Sequence, residues 1–384
     1  MNSSTRGMVR LPIGVLAAFA LVVVGCGSDK SKSSANTGAS GVTTTAGATS
    51  GSTAAGGTTV GSTAAGGTTV PGKGGQSLIY ITPTPIGVNE FLVLGQTGTE
   101  AEAKKLGGKS KIYESTDLNS RRANLEAAVG EKPDVIVLTT FDFTDLAAEF
   151  AASNPKQQFI LIDSCPITPP TNLHCGVFRE QEGAYLLGIE AGMLTKTNKI
   201  GSVGALDIPF LHRYIDSFAL GAKSVNPSVT DSAVYIGGDN PFSDPARGKE
   251  QADALIAQGL DQVFAVGAGS NGGIFDAAKA KGVSSYGVDT NQCSMAAGTV
   301  VDNNLKLVDQ VVEQLIDQVL AGSASSVVSF GLKEGATGVI ALKDDVASSG
   351  CVIADHPDVI AKVKEAAAKI IDGSLAIPDP LTAG

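Results

Sequence analysis

The stretch Gly267–Gly272 reads GAGSNG, and Asp289 closes the next apolar run, YGVD. Glycines in a GxGxxG pattern between a strand and a helix let backbone amides approach a phosphate, and an acidic residue further on accepts hydrogen bonds from ribose hydroxyls. Lys306 is expected at the start of a helix returning to the first lobe, placing an ammonium where it would donate to the same sugar. These residues therefore point to a ribose-bearing ligand. Acid–base and nucleophilic chemistry have little support: the chain holds three His and lacks GxSxG, HExxH and Walker motifs. No CxxC is present, and His174, His212 and His356 lie in separate contexts, so no metal site is expected. An enzyme using NAD through Gly267, Gly269 and Asp289 stands as one alternative, although an exported chain makes a diffusible nicotinamide cofactor a poor fit; no cofactor is expected.

Short unbroken apolar runs must position these groups. They fall at Leu78–Ile81, Lys111–Glu114, Asp134–Leu138, Phe159–Asp163 and Cys175–Phe178. A second series falls at Ile200–Ala205, Ala233–Ile236, Gln262–Val266 and Ser284–Val288. Helical stretches alternate with them. Apolar runs without polar alternation are typical of strands covered on both faces, and their alternation with helices implies parallel sheets. The expected fold class is α/β, with two Rossmann-like lobes and a ligand cleft at the carboxyl ends of the strands. Glu182–Lys196 reads as a long helix between the lobes, and Thr299–Gly322 as a helix returning to the first.

The beginning of the chain has a different character. Arg6 and Arg10 precede an apolar core, Leu11–Val24, which is short for a bilayer span. Cys26 follows Val-Val-Gly, a spacing that resembles the bacterial lipoprotein lipobox, with cleavage before Cys26 and its acylation implied. From Gly27 to about Gly75 the chain is rich in Ser, Thr, Gly and Ala, and GSTAAGGTTV occurs twice in succession. Such composition cannot bury enough apolar surface to fold, so a disordered tether is expected, spanning roughly 40 Å root-mean-square. Its address would be the outer face of the cell membrane.

Net charge is −10, which argues against nucleic acid as a partner. Setting Cys26 aside leaves Cys165, Cys175, Cys293 and Cys351, an even number in an exported chain. They allow three pairings. Cys165 and Cys175 flank a short Pro-rich loop, which favours Cys165–Cys175 with Cys293–Cys351.

From Phe178 the chain reads FREQEGAYLLGIEAGMLTKTNKIGSVGALDIPFLHRYIDSFALGAKSVNP, and later DPARGKEQADALIAQGLDQVFAVGAGSNGGIFDAAKAKG, YGVDTNQ and FGLKEGATGV. These blocks resemble the basic membrane protein family of lipoproteins, the nucleoside-binding components of ABC importers. The resemblance covers about Leu78 to Val339. It implies a type I periplasmic-binding-protein fold with a multi-crossover hinge, no catalysis, and a purine nucleoside between the lobes. Permease subunits are the implied partners, and one subunit suffices for binding. A sugar-binding or signal-sensing lipoprotein of the same fold is the other alternative. Asp289 and Lys306 match the family's ribose contacts, and Phe91 and Phe264 its two base-stacking aromatics. Asn89, Phe141 and Asp142 stand in loops suited to base edges. The family's usual first loop, Asp-Lys-Ser-Phe-Asn, is here TPIGVNEF, Thr84–Phe91.

The divisions expected are a signal peptide at 1–25 and a tether at 26–76. Lobe 1 is expected at 77–185, completed by about 299–325, and lobe 2 at 186–298, completed by about 326–350. A C-terminal helix and tail would occupy 351–384.

Overall fold

The computed structural model describes residues 75–381. The export segment, Cys26 and all but the last residues of the tether lie outside the described residues.

The first lobe begins β1 (Ser77–Thr82), α1 (Glu90–Lys105), β2 (Lys109–Glu114), α2 (Leu118–Glu131), β3 (Val135–Thr139), α3 (Thr144–Ser153), β4 (Gln158–Ile162) and β5 (Leu173–Phe178). Helix α4 (Glu180–Leu194) leads to the second lobe. There follow β6 (Lys199–Gly204), α5 (Pro209–Val225), β7 (Thr230–Tyr235), α6 (Pro245–Ile256), β8 (Gln262–Val266), α7 (Asn271–Lys281), β9 (Ser284–Asp289) and β10 (Val300–Lys306). The chain returns through α8 (Val308–Leu320) and β11 (Val327–Phe330), then crosses again to β12 (Thr337–Val339) and α9 (Pro357–Ile371). Two six-stranded sheets result, ordered β11-β5-β4-β3-β1-β2 and β12-β10-β9-β8-β6-β7. All pairs are parallel except β10 with β12.

Local chemistry explains the elements. Strands β3 and β8 are buried at every position, as strands covered on both faces must be. Leu78 and Tyr80 pack on one face of the first sheet, Ile79 and Ile81 on the other. Helix α2 starts at a capping box between Asp117 and Ser120, and Pro209 and Pro245 open α5 and α6. The cysteines pair as favoured, Cys165–Cys175 and Cys293–Cys351, with Cα atoms 5.5 and 5.0 Å apart.

One expectation fails. The helix read across Thr299–Gly322 begins only at Val308, and Val300–Lys306 is a fully buried strand. Its Asp302, Asn303 and Asn304 are poor helix formers that find partners in the sheet instead. Asp302 accepts from the backbone of Ile340 and Ala341 at 2.7 and 2.8 Å. Burial and the adjacent Asp302 hold the Glu190 carboxyl of α4 well above its ordinary range. The completing segments move accordingly. Val300–Lys306 belongs to the second sheet, not the first lobe, and Val327–Phe330 belongs to the first sheet, not the second lobe.

Candidate functional site

Both sheets direct their carboxyl ends at a cavity of about 290 Å³ between the lobes. Residues following β1, β3, β4, β6, β7 and β8, and the last residues of β9 and β10, line it. Sheet order fixes what lies beside what. Neighbouring strands are about 4.8 Å apart, and Asp289 of β9 pairs in register with Leu305, so Lys306 stands one residue beyond it on β10. Phe242, in the loop beyond β7, packs against Gly269 past the end of β8, the strand next to β9.

The β9–β10 end is ionic. Lys306 is 2% exposed, and its Nζ lies 2.5 Å from Asp163 Oδ1 and 2.8 Å from Glu180 Oε1. It also donates to the Tyr214 hydroxyl at 3.4 Å and sits over the rings of Phe91, Phe178 and Phe210. Burial pulls its pKa down, but Asp163 and Glu180 outweigh that and hold it well above the ordinary lysine value. Burial pushes Asp289 up to about 6 and Glu180 up to about 7, with Lys306 pulling both back. The lysine stands at the end of β10, not at the start of the returning helix.

Aromatic rings surround this ionic group and carry the cavity wall beyond it. Phe141 meets Phe210 and Phe242 with ring centroids 6.3 and 6.4 Å apart, and Phe210 meets Tyr214 at 6.1 Å. Phe91 lines the cavity from the start of α1. Phe264 does not: it is wholly buried, 4.9 Å from Phe218 in the core of the second lobe. Lying in the middle of β8, it is covered by α5, and Val266 and Ala268 reach the cavity from that strand.

Gly267 and Gly269 are also absent from the lining. The Gly267 amide donates to Asn271 Oδ1 at 2.8 Å, and a Cβ on Gly269 would meet Phe242 O and Val88 Cγ2 at 3.0 Å. These glycines serve close packing rather than a phosphate. Asn89 lines the cavity while its side chain caps α1, accepting from Leu92 N. Asp142 is held by Arg121 Nη1 at 2.9 Å and by the Thr140 hydroxyl at 2.9 Å. The lining carries four carboxylates, on Asp142, Asp163, Asp239 and Asp289, against two cations, on Arg121 and Lys306.

Sequence reasoning missed Asp163, Phe210, Tyr214, Phe242 and Arg121. Asp163 had a signal: it closes the apolar run FILID as Asp289 closes YGVD. Another signal is conformational. Six described residues other than Gly have positive φ, and four of them, Thr140, Asp163, Ala268 and Asp289, line the cavity. Strained backbone of this kind clusters at ligand sites.

Among the described residues, no cluster of His, Cys, Asp or Glu is arranged to hold a metal ion, and no helix is long and apolar enough to cross a membrane.

A family model described as ABC transporter substrate-binding protein PnrA-like matches residues 93–372. A Lactococcus lactis protein named ABC transporter nucleoside-binding protein BmpA is 29% identical over 300 residues, covering 73% of this chain and 81% of its own. The CD4+ T-cell-stimulating antigen of Listeria monocytogenes is 29% identical over 276 residues, covering 67% and 74%. A solute-binding protein of an ABC transporter system from Aeropyrum pernix superposes with a TM-score of 0.69 at 27% identity, covering 79% of this chain and 94% of that one. The two lobes and their repeated crossings are the type I periplasmic-binding-protein architecture.

Proposed function

The chain belongs to the Bmp family, the PnrA-like substrate-binding proteins of ABC transporters, and we propose that it closes on a nucleoside and hands it to a membrane permease. One observation carries this reading: Asp289 and Lys306, on neighbouring strands, line the same cavity as the rings of Phe91, Phe141, Phe210 and Phe242. A buried carboxylate suits the two vicinal hydroxyls of a ribose, accepting from both, while the nearby Lys306 charge favours its ionised form. A flat base stacks on rings with roughly 1–3 kcal/mol per face. The stacking partners in this reading are Phe91, Phe141, Phe210 and Phe242. At about 290 Å³ the cavity sits at the small end of ligand pockets, which are typically roughly 300–1,000 Å³.

The reading assigns binding and no reaction. Asp142, Asp163, Arg121 and Lys306 are tied in ion pairs, and the GxGxxG glycines are used for packing. The aromatic wall favours a nucleoside over a bare sugar. The excess of carboxylates in the lining disfavours a phosphate. Calorimetry should show binding of guanosine, inosine or adenosine, weaker binding of ribose, and affinity at least about tenfold lower for the matching 5′-monophosphate. Tight binding of a free sugar with no response to any nucleoside would refute the assignment.

The anchor belongs to the same proposal. A lipid-bearing Cys26 and a polar tether would hold a monomeric receptor near its permease on the outer face of the membrane. Changing Cys26→Ser should move the protein from the membrane fraction to the soluble fraction. Retention at the membrane would count against acylation there.

A further inference from the structure

Glu90 joins the lobes without lining the cavity. It lies in the first turn of α1, between Asn89 and Phe91, which do line it. Its Oε2 accepts from the Thr290 hydroxyl and, at 3.0 Å, from Gln292 Nε2. Both donors follow β9 in the second lobe, and Thr290 is the residue after Asp289.

The second lobe presets this donor pair. Gln292 is 2% exposed, and its Oε1 accepts from Asn271 Nδ2 at 3.0 Å and from Val288 N at 3.2 Å. With the oxygen committed to those two donors, the Gln292 amide nitrogen has to face Glu90. Parting the lobes would exchange that bond for one to water, losing the net worth of a hydrogen bond to a carboxylate. Val88 supports the same seam, since it lies against Gly269 of the second lobe.

We propose that Glu90 is a closure latch, a positioning residue that sets affinity by holding the cleft shut through Thr290 and Gln292 without touching the ligand. The inference rests on the solute-binding reading and goes beyond it. Apparent affinity scales with the population of the binding-competent state. A latch therefore acts on every ligand by the same factor, whereas a contact residue acts selectively.

The test compares wild type with Glu90→Ala and Glu90→Gln, using inosine and guanosine as probes. Hydrogen bonds to a charged acceptor imply about a tenfold rise in Kd for the Ala variant, equal for both nucleosides and carried by faster dissociation. Glu90→Gln keeps an acceptor oxygen and should stay within about twofold of wild type. Unchanged affinity in Glu90→Ala overturns the latch, and so does a changed ratio between the nucleosides, which would mean direct contact. Should neither nucleoside bind wild type, the ligand assignment fails and small-angle scattering of the free proteins still decides the latch. A more extended Glu90→Ala beside an unaltered Glu90→Gln supports it; identical profiles for all three overturn it.

Discussion

Lys306→Met is expected to lower stability by about 3–5 kcal/mol near neutral pH, the usual cost of removing one partner from a buried ion pair. Its Nζ neutralises Asp163 and Glu180 directly, and it pulls down the carboxyl of Asp289. Met fills much the same volume, leaves Asp163 buried without its lysine, and leaves Glu180 with Arg213 alone, 3.2 Å away. Their remedy is to take up protons. Glu180 stands at about 7 and Asp289 at about 6 with the lysine in place, each raised first by burial, and loss of Lys306 moves both higher. An acid whose folded pKa is raised contributes its stability below its unfolded pKa, near 4, and loses it as pH rises through the folded value. The deficit of the variant should therefore be small near pH 5 and full near pH 8. Denaturant titrations of both proteins at those two pH values check this. An equal deficit at both would show that lost packing, not uncompensated charge, is what the substitution removes.

The fold was legible wherever apolar runs were unbroken. Strands such as Ile79–Ile81 and Val135–Leu138 are buried on both faces, and that demand writes itself into composition. Strand β10 was not legible for the opposite reason. In VVDNNLK, Asp302, Asn303 and Asn304 are buried because they bond to Ile340 N, Gln292 N and Glu180 O, and periodicity does not record such partners. The amphipathic helix starting at Val308 then lent its pattern to the residues before it.

Site residues divided along similar lines. Asp289 and Lys306 end strands, and strand ends meet the cleft in any doubly wound sheet. Phe264 was misplaced because an aromatic inside a strand packs under a helix, whereas Phe210 and Phe242 stand on a helix start and a loop that face the other lobe. The positive φ of Thr140, Asp163 and Asp289 was hidden, since none is Gly. The closure contact of Glu90 was hidden as well, because its partners lie 200 and 202 residues away.

Asp289→Asn is expected to weaken a ribonucleoside by about a hundredfold or more. Hydrogen bonds to an ionised acceptor contribute roughly 1.5–3 kcal/mol each, and this residue is assigned two. Asn is the informative replacement. Position 289 has φ of 70°, a region that Asn enters readily and Ala does not, so the fold is left intact while the charge and one acceptor are removed. The carboxyl of Asp289 is pushed up to about 6 by burial, against the pull of Lys306. A ligand that needs the ionised form should therefore bind wild type more weakly as pH falls through about 6, by about tenfold at pH 5. In Asp289→Asn that step should vanish. The ribose hydroxyls themselves close the argument. An analogue lacking both should bind wild type far more weakly than inosine, while the Asn variant should scarcely distinguish the two. If the variant still discriminates as strongly as wild type, some other group holds the sugar, and the pairing of Asp289 with ribose is wrong.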